Sequence, residues 1–182
     1  MRFARCALRF ATALCPLPSA LCPLPPLDPD AFRSVLGRFA SGVTVLTTRS
    51  GDRDVGMTVS SFCSVSLQPP LVLACVARTA DLHHLLPKGQ RVVFNILSAT
   101  QEALSRRFSE EEGSRRFEGI GLHRDPHGIA VLEDILAWIE GHIVEQHDGG
   151  DHSIFIAQVD GATSRDLRPL LYYRGGYAEL ER

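Results

Sequence analysis

The sequence predicts a mainly β protein, an antiparallel β-barrel with short peripheral helices. Segments rich in β-branched residues follow one another at hairpin-like spacing, as in residues 43–48 (VTVLTT) and 71–76 (LVLACV). Helical periodicity is confined to short, irregularly placed segments, which argues against a parallel sheet with crossover helices. A glycine-rich phosphate loop between a strand and a helix is also missing from the sequence, since the lone Gly119-Ile120-Gly121 lies in a polar segment. A bound nucleotide would therefore lie against strand faces and loops.

Seven segments are predicted to be strands because β-branched or other apolar residues dominate them. They are residues 43–48, 55–64, 71–76, 91–97, 135–146, 154–160 and 170–173. The first two are predicted to form a hairpin around Gly51-Asp52, where glycine and aspartate favour a turn. The polar, glycine-containing stretch 109–128 is predicted to be a long excursion from the barrel.

Three short helices are predicted. Asp28 or Asp30 can cap a first helix, which Ser41-Gly42 ends. A second helix is predicted at residues 81–86. Ser98 and Gln101 have the spacing of a capping box and predict a third helix that continues to residue 108.

Composition limits the kinds of partner. The 182 residues are 45% hydrophobic and 22% charged, which is typical of one globular domain with a sizeable core. The formal net charge is -2 without a long run of one sign, so neither nucleic acid nor an anionic membrane is expected as the main partner. Small ligands and other proteins remain.

The first 27 residues differ from the rest of the chain. They are rich in proline, repeat the sequence LCPLP, and contain arginines but no acidic residue before Asp28. Proline interrupts the apolar run that a membrane-spanning helix needs. The arginines resemble those of an export or transit peptide, but no convincing cleavage site follows. We expect residues 1–27 to be a disordered or dispensable extension and residues 28–182 to be the folded domain.

The cysteines indicate a reducing compartment. There are five, Cys6, Cys15, Cys22, Cys63 and Cys75, and none has C-x-x-C spacing. This pattern argues against both a disulfide framework and a zinc site. We expect free thiols and a cytoplasmic protein.

The stretch GMTVSSFCSVS (residues 56–66) combines strand-like character with many hydroxyls and no charge. In an uninterrupted strand, Thr58, Ser60, Phe62, Ser64 and Ser66 share one face, while Met57, Val59, Ser61, Cys63 and Val65 share the other. The second face is predicted to be core. The first is either the wet side of a half-buried strand or a wall for a ligand, and the strand alone leaves both possibilities open.

Other polar groups also have two interpretations. His123 and His127 have helical spacing, but the residues around them favour a turn, so a metal site is not expected. Arg106 and Arg107 either hold a phosphate or are solvated. The turn Gly149-Gly150-Asp151-His152 precedes a predicted strand, and its histidine is either functional or incidental.

Taken in order, these segments resemble the flavin reductase family of the split-barrel flavin-binding fold, the small partners of two-component flavin-dependent monooxygenases. The matching stretches are FASGVTVLTT (39–48), GMTVSSFCSVSLQPPLVLACV (56–76), FNILSATQEALSRRF (94–108), VLEDILAWIEGHIVEQHDGGDHSIFIAQV (131–159) and PLLYYRGGYAEL (169–180). Together they cover nearly the whole domain after the N-terminal stretch.

The resemblance implies a flavin, FMN or FAD, in a groove between the barrel and a second subunit of a homodimer. The flavin-binding positions it implies are Met57, Thr58, Val59, Ser60, Ser61, Phe62, Arg78, Thr79, Asn95, Ser105, Arg106, Arg107 and Phe108, with Arg106 or Arg107 for phosphate. It also implies that Gly150, Asp151 and His152 bind the nicotinamide of NADH or NADPH, with His152 as the catalytic residue. Neutral hydroxyls suit a ring whose charge changes on reduction.

One segment departs from the family pattern. Ala80 and Leu82 stand where relatives often have hydroxyls, which affects the phosphate contact and the choice between FMN and FAD. At Cys63, often a small polar position in relatives, we expect a buried, unreactive thiol.

The function implied is reduction of flavin by NAD(P)H and supply of reduced flavin to a partner monooxygenase. Two alternatives remain. One is a non-catalytic flavin carrier or sensor. The other is an oxidase of a phosphorylated pyridine on a related barrel, which the Gly150-Asp151-His152 turn disfavours.

Overall fold

The computed structural model describes residues 27–180. Its helices are α1 (Pro29–Leu36) and α2 (Glu102–Glu110), with single 3-10 turns at His83–Leu85 and Gly113–Phe117. Its strands are β1 (Ser41–Gly42), β2 (Thr44–Ser50), β3 (Arg53–Val59), β4 (Phe62–Leu67), β5 (Pro70–Ala77), β6 (Arg91–Ile96), β7 (Leu122–Arg124), β8 (Ala130–Leu132), β9 (Ala137–Gly149), β10 (His152–Ser164), β11 (Leu171–Tyr173) and β12 (Gly176–Ala178). Apart from Leu27, the predicted N-terminal extension lies outside the described residues.

The main sheet has seven strands in the order β3-β2-β6-β9-β10-β5-β4, and every neighbouring pair is antiparallel. This confirms the predicted mainly β, antiparallel fold. Strands β3 and β4 follow each other in the chain at Ser60-Ser61 but stand at opposite edges of the sheet. The sheet must therefore curl until its edges approach there. Within the described residues these two edges do not pair with each other, so the barrel is split.

Both faces of the curled sheet are covered. On the inner face a cluster around Leu46, Phe94 and Phe155 fills the barrel. On the outer face a second cluster contains Val45 and Phe108 and packs beneath α2, β8 and the C-terminal strands. Because β2 contributes alternate residues to both clusters, nearly its whole length is buried.

The single strand predicted for residues 55–64 is wrong. β3 ends at Val59 and pairs with β2, whereas β4 begins at Phe62 and pairs with β5. The alternation of faces therefore does not continue through Ser60-Ser61. Cys63 is exposed, contrary to the buried thiol expected, because β4 is an edge strand. Val65 is exposed at a register shift between Ser64 and Ser66.

The helices follow their predicted caps only in part. Asp28 caps α1 through its carboxylate, which accepts from the amides of Asp30 and Ala31 at 3.4 and 3.2 Å. Gln101 Oε1 accepts from the Ser98 amide at 3.0 Å, as in a capping box, but α2 begins later, at Glu102. The helix predicted at 81–86 is a single 3-10 turn. Among residues 27–180, both helices are too short to cross a membrane.

Candidate functional site

A cavity of about 330 Å³ lies beside the end of β3, a volume typical of small-ligand sites. Hydroxyl side chains from β3 and α2 form one wall, and two tyrosines from the C-terminal hairpin form the other. The lining residues are Val43, Thr58, Ser60, Ser105, Arg106, Ser109, Glu110, Tyr172, Gly175 and Tyr177. The arrangement offers neutral polar groups opposite aromatic rings, which suits a flat, polar, conjugated molecule.

The close approach of α2 to β3 depends on Gly56. A Cβ atom at this position would lie 3.0 Å from Phe108 Cε1 and 3.1 Å from Phe117 Cζ. Without it, the two phenylalanine rings pack edge to face, with 5.0 Å between centroids, directly against β3. Thr58 Oγ1 then reaches α2 and donates to the Ser105 carbonyl oxygen at 2.7 Å. Because that proton is committed, the Thr58 oxygen offers a ligand only its lone pairs.

The tyrosine wall comes from the hairpin of β11 and β12. Tyr172 and Tyr177 are directly opposed across the hairpin, and their ring centroids are 5.6 Å apart. The Tyr177 hydroxyl is hydrogen-bonded to Ser105 Oγ at 2.8 Å. Ser105 is itself fully buried. This bond ties the tyrosine wall to the hydroxyl wall.

Two further cavities continue from the first. The second, of about 410 Å³, shares Thr58, Ser109 and Glu110 with the first, and the third, of about 430 Å³, shares Asp81 and Arg116 with the second. We refer to the three together as the groove. The second cavity is also lined by Met57, Thr79, Ala80, Leu82, Phe108, Glu111 and Glu112, and the third by Arg53, Asp54, Val55, His84, Leu85 and Gly113.

Charge is unevenly distributed along the groove. The second cavity carries several carboxylates, including the run Glu110 to Glu112, and Arg116 is the cation among its lining residues. Arg116 donates to the Gly56 carbonyl oxygen at 2.7 Å and to the Glu111 carbonyl oxygen at 2.6 Å, so its guanidinium is held in place. An anionic ligand group is therefore favoured near Arg116 or Arg106 and disfavoured beside the glutamates.

The two neighbouring arginines of α2 contact different parts of the structure. Arg106 lines the first cavity, where its guanidinium lies 4.9 Å from the centre of the Tyr177 ring and 2.8 Å from Glu102. Arg107 instead donates to the carbonyl oxygens of Arg115 and Glu118 and braces the segment after α2. Of the two, only Arg106 lines the groove.

A second polar site, the β9–β10 turn, carries Gly150, Asp151 and His152. Gly150 has φ of +77°, a left-handed conformation that favours glycine. His152 Nδ1 lies 2.8 Å from Asp151 Oδ1, and this hydrogen bond lowers the pKa of Asp151. An ionised carboxylate can only accept, so Nδ1 carries a proton and the neutral ring presents Nε2 as an acceptor.

The turn and the groove adjoin along the chain. His152 pairs with Ala77 at the end of β5, and residues 79–82, which follow directly, line the second cavity. Arg78 lies between them and contacts the turn, not the groove. It donates from Nε to the Gly150 carbonyl oxygen at 3.0 Å and from the guanidinium to Asp148 at 2.7 Å.

Some residues expected to contact the flavin are used by the fold itself. Asn95 is fully buried, and its amide bonds to the Val45 carbonyl oxygen, Thr47 Oγ1 and the Leu132 amide. The side-chain amide of Asn95 is therefore used by the fold, and a flavin contact at this position stays a prediction. Val59 belongs to the core, Ser61 Oγ bonds the backbone of Cys75, and the Phe62 ring packs 5.2 Å from Phe94.

The structure thus brings together Met57, Thr58, Ser60, Thr79, Ser105, Arg106 and Phe108 in the groove. Sequence reasoning missed Arg116 and the tyrosine pair. The pair had a detectable signal, because a two-residue turn at Arg174-Gly175 sets Tyr172 opposite Tyr177. Arg116 had none, since its contact with Gly56 spans sixty residues of sequence.

The described residues do not form a metal-binding cluster. Among residues 27–180, no group of three or more His, Cys, Asp or Glu side chains could hold a metal ion. His123 lies in β7 with its ring 5.6 Å from that of Trp138, and His127 lies in the following turn.

The curled antiparallel sheet with a groove beside its seam defines a split-barrel protein. The chain belongs to the Flavin reductase like domain family, whose sequence model matches residues 36–181.

Individual relatives agree with this assignment. The reductase subunit HsaB of a flavin-dependent monooxygenase from Mycobacterium tuberculosis is 37% identical over 158 residues, covering 85% of this chain and 84% of HsaB. The FMN reductase (NADH) SmoA of Agrobacterium fabrum is 37% identical over 152 residues, covering 84% of this chain and 86% of SmoA. A solved structure of the NADH:FAD oxidoreductase SgcE6 from Streptomyces globisporus holds NAD and FAD fragments. It superposes on this chain with a TM-score of 0.78 at 33% identity, covering 86% of this chain and 97% of SgcE6.

Proposed function

We propose that the protein reduces FMN or FAD with NADH or NADPH and supplies the reduced flavin to a partner monooxygenase. The observation that carries this proposal is the groove, in which neutral hydroxyls of β3 and α2 face Tyr172 and Tyr177. Family membership supports the same reaction, because HsaB is a reductase subunit of a flavin-dependent monooxygenase. SmoA and SgcE6 are both named for NADH, which favours NADH as the donor here.

The residues of the groove fit a flavin. Thr58, Ser60 and Tyr177 would hold its ring and ribityl chain, because they offer hydrogen-bonding oxygens without a fixed charge. Arg106 or Arg116 would hold its phosphate. When bound, the flavin supplies a two-electron acceptor for hydride from the nicotinamide.

The protein's own contribution is positioning and shape. The bonds from Thr58 and Tyr177 to Ser105 fix both groove walls before a ligand arrives. His152 presents Nε2 as an acceptor, which can orient the carboxamide of a nicotinamide through its N–H group. Proton transfer by the protein is not required, and accordingly neither wall needs an acid–base pair.

Stopped-flow absorbance tests the reaction directly. Each flavin, FMN and FAD, is mixed with the protein and with NADH or NADPH, and bleaching of the oxidised flavin band is followed. The expected result is bleaching far faster than in a protein-free control. Equal rates would contradict the reductase assignment, and tight flavin binding without bleaching would instead indicate a non-catalytic carrier or sensor.

Two variants connect the reaction to the site. Thr58→Val removes the groove hydroxyl at nearly constant volume and should weaken flavin binding about fivefold. Ser64→Ala is the matched control, because Ser64 belongs to the same hydroxyl-rich stretch but lines none of the groove. His152→Ala should raise KM for the nicotinamide, whereas a carrier would be unaffected.

We also propose a homodimer whose interface includes α1. No residue of α1 is buried, and Phe32, Val35 and Leu36 are 49%, 69% and 54% exposed. An isolated helix of this length is marginal in water, so a second subunit covering its apolar side would stabilise it. In sedimentation experiments Val35→Asp should dissociate the dimer, while Ser34→Asp on the same helix should not. A monomeric wild-type protein would contradict the proposal.

We place the protein in the cytoplasm. Cys63 and Cys75 are free thiols, one of them exposed, which suits a reducing compartment. Cell fractionation with an antibody to the protein tests this location, and recovery outside the cytoplasmic fraction would contradict it.

A further inference from the structure

Arg78 contacts the turn that carries His152 at three points. Its backbone amide donates to the Asp151 carbonyl oxygen at 3.0 Å. Its side chain donates from Nε to the Gly150 carbonyl oxygen at 3.0 Å and from the guanidinium to Asp148 Oδ1 at 2.7 Å. Arg78, the residue that follows β5, therefore contacts three of the four residues that precede His152.

These contacts suit an arginine and not a lysine. The guanidinium is a planar fork whose nitrogens can donate in fixed, divergent directions to a carbonyl and a carboxylate together. Lysine carries the same charge but lacks the fork. Because the Asp148 side chain is largely exposed, the ion pair alone contributes little, and the directed bond to Gly150 is the more important contact.

The same contacts make a phosphate-binding role for Arg78 difficult. Its guanidinium already faces the carboxylate of Asp148, and Arg78 lines none of the groove cavities. Thr79, the next residue, does line the second cavity. Arg78 thus stands at the junction between the groove and the turn.

We propose that Arg78 is a positioning residue that holds the β9–β10 turn so that His152 meets the nicotinamide at a fixed place relative to the groove. That His152 meets the nicotinamide rests on the proposed function. That Arg78 holds the turn rests on the three contacts described above. Arg78 acts through the turn and contacts neither substrate.

The main variant is Arg78→Lys, which keeps the charge and removes the fork. Its KM for NADH should rise about fivefold, while kcat and the flavin Kd change less than about twofold. The double variant Arg78→Lys with His152→Ala should have the same KM as His152→Ala alone, because both changes affect one interaction. Arg168→Lys is the matched control, since Arg168 is also exposed and pairs with a carboxylate, Glu179, away from the groove. It should behave as wild type.

Hydrogen exchange provides a readout that does not depend on turnover. In Arg78→Lys, amides of residues 148–153 should exchange several-fold faster, with no change in α2 or β3. Asp148→Asn should show a smaller increase, because the bond to Gly150 remains.

Each outcome decides the proposal. Unchanged exchange in Arg78→Lys would show that Arg78 does not hold the turn and would overturn it. Faster exchange with an unchanged KM for NADH would also overturn it, as would weaker flavin binding alone, which would indicate a flavin phosphate contact. If the wild-type protein fails to bleach flavin, the proposed function fails and the nicotinamide role with it, while hydrogen exchange still decides whether Arg78 fixes the turn.

Discussion

The groove and the His152 turn are held by different kinds of interaction. The groove walls rest on the core, because Phe108 and Phe117 pack against Gly56 and fully buried Ser105 joins Thr58 to Tyr177. The His152 turn is exposed and is fixed by surface contacts from Arg78. We therefore expect changes at the groove to reduce both stability and flavin binding, and changes at the turn to alter kinetics alone.

The largest expected effect is at Asn95, which supports the groove side from within the core. Asn95→Ala removes three hydrogen bonds and leaves buried partners, including the Leu132 amide, unsatisfied. The free energy of unfolding should fall by about 3 kcal/mol, as measured by urea denaturation. His152→Ala serves as the contrasting variant and should unfold like wild type. Equal losses in the two variants would remove the distinction between the regions.

Gly56→Ala should have the next largest effect. The new methyl group would lie 3.0 Å from Phe108 Cε1 and 3.1 Å from the Leu46 carbonyl oxygen, so α2 must shift away from β3. A loss of about 2 kcal/mol in unfolding free energy and weaker flavin binding are expected. Gly42→Ala is the control, because no atom lies within 4 Å of its Cβ position. If both alanines are tolerated equally, the groove does not depend on close packing.

Tyr177→Phe should have a smaller effect. It removes the bond to Ser105 Oγ and should lower the unfolding free energy by about 1 kcal/mol while weakening flavin binding measured by fluorescence titration. Tyr172→Phe is the comparison, since among the described residues the Tyr172 hydroxyl makes no hydrogen bond. Identical behaviour of the two variants would show that the Tyr177 hydroxyl does not connect the walls.

The smallest expected effect is a pH dependence near the turn. Burial, followed by the charges of His84 and Arg78, lowers the pKa of His83, whose Nε2 lies 2.8 Å from Ser153 Oγ. The unfolded chain therefore binds this proton at a higher pH, near 6.5, than the folded chain does. Stability should fall as pH drops through about 6.5 and level off below the folded pKa.

Thermal unfolding at pH 7.5 and pH 5.5 measures this effect. His83→Gln should reduce the difference in melting temperature between the two conditions, and His147→Gln, at an exposed histidine of β9, should not. An unchanged difference in His83→Gln would assign the pH dependence to other groups.

Sequence reasoning succeeded where the composition of a segment alone favours one kind of secondary structure. The runs around β2, β5 and β6 are so rich in β-branched residues that strand formation is the only well-packed outcome. It failed at residues 55–64, because alternation along the chain cannot show that pairing changes from β2 to β5 at Ser60-Ser61. The exposed position of Cys63 follows from that change.

The candidate site was predictable to a similar extent. Thr58 and Ser105 could be predicted as groove residues because each belongs to a segment that resembles the family over its whole length, and both line the groove. Asn95 has the same kind of match, but its place in an apolar run, RVVFNIL, is equally consistent with a buried structural amide, and the structure shows that role. Only the tertiary contacts distinguish a ligand-binding amide from a structural one.

The split in the barrel leaves two strand edges that need protection from self-association. Arg116 caps one of them by donating to the Gly56 carbonyl oxygen of β3. The register shift around Val65 disrupts the regular ladder of β4 on the other. Arg116 therefore both covers part of an unpaired strand edge and lines the ligand groove.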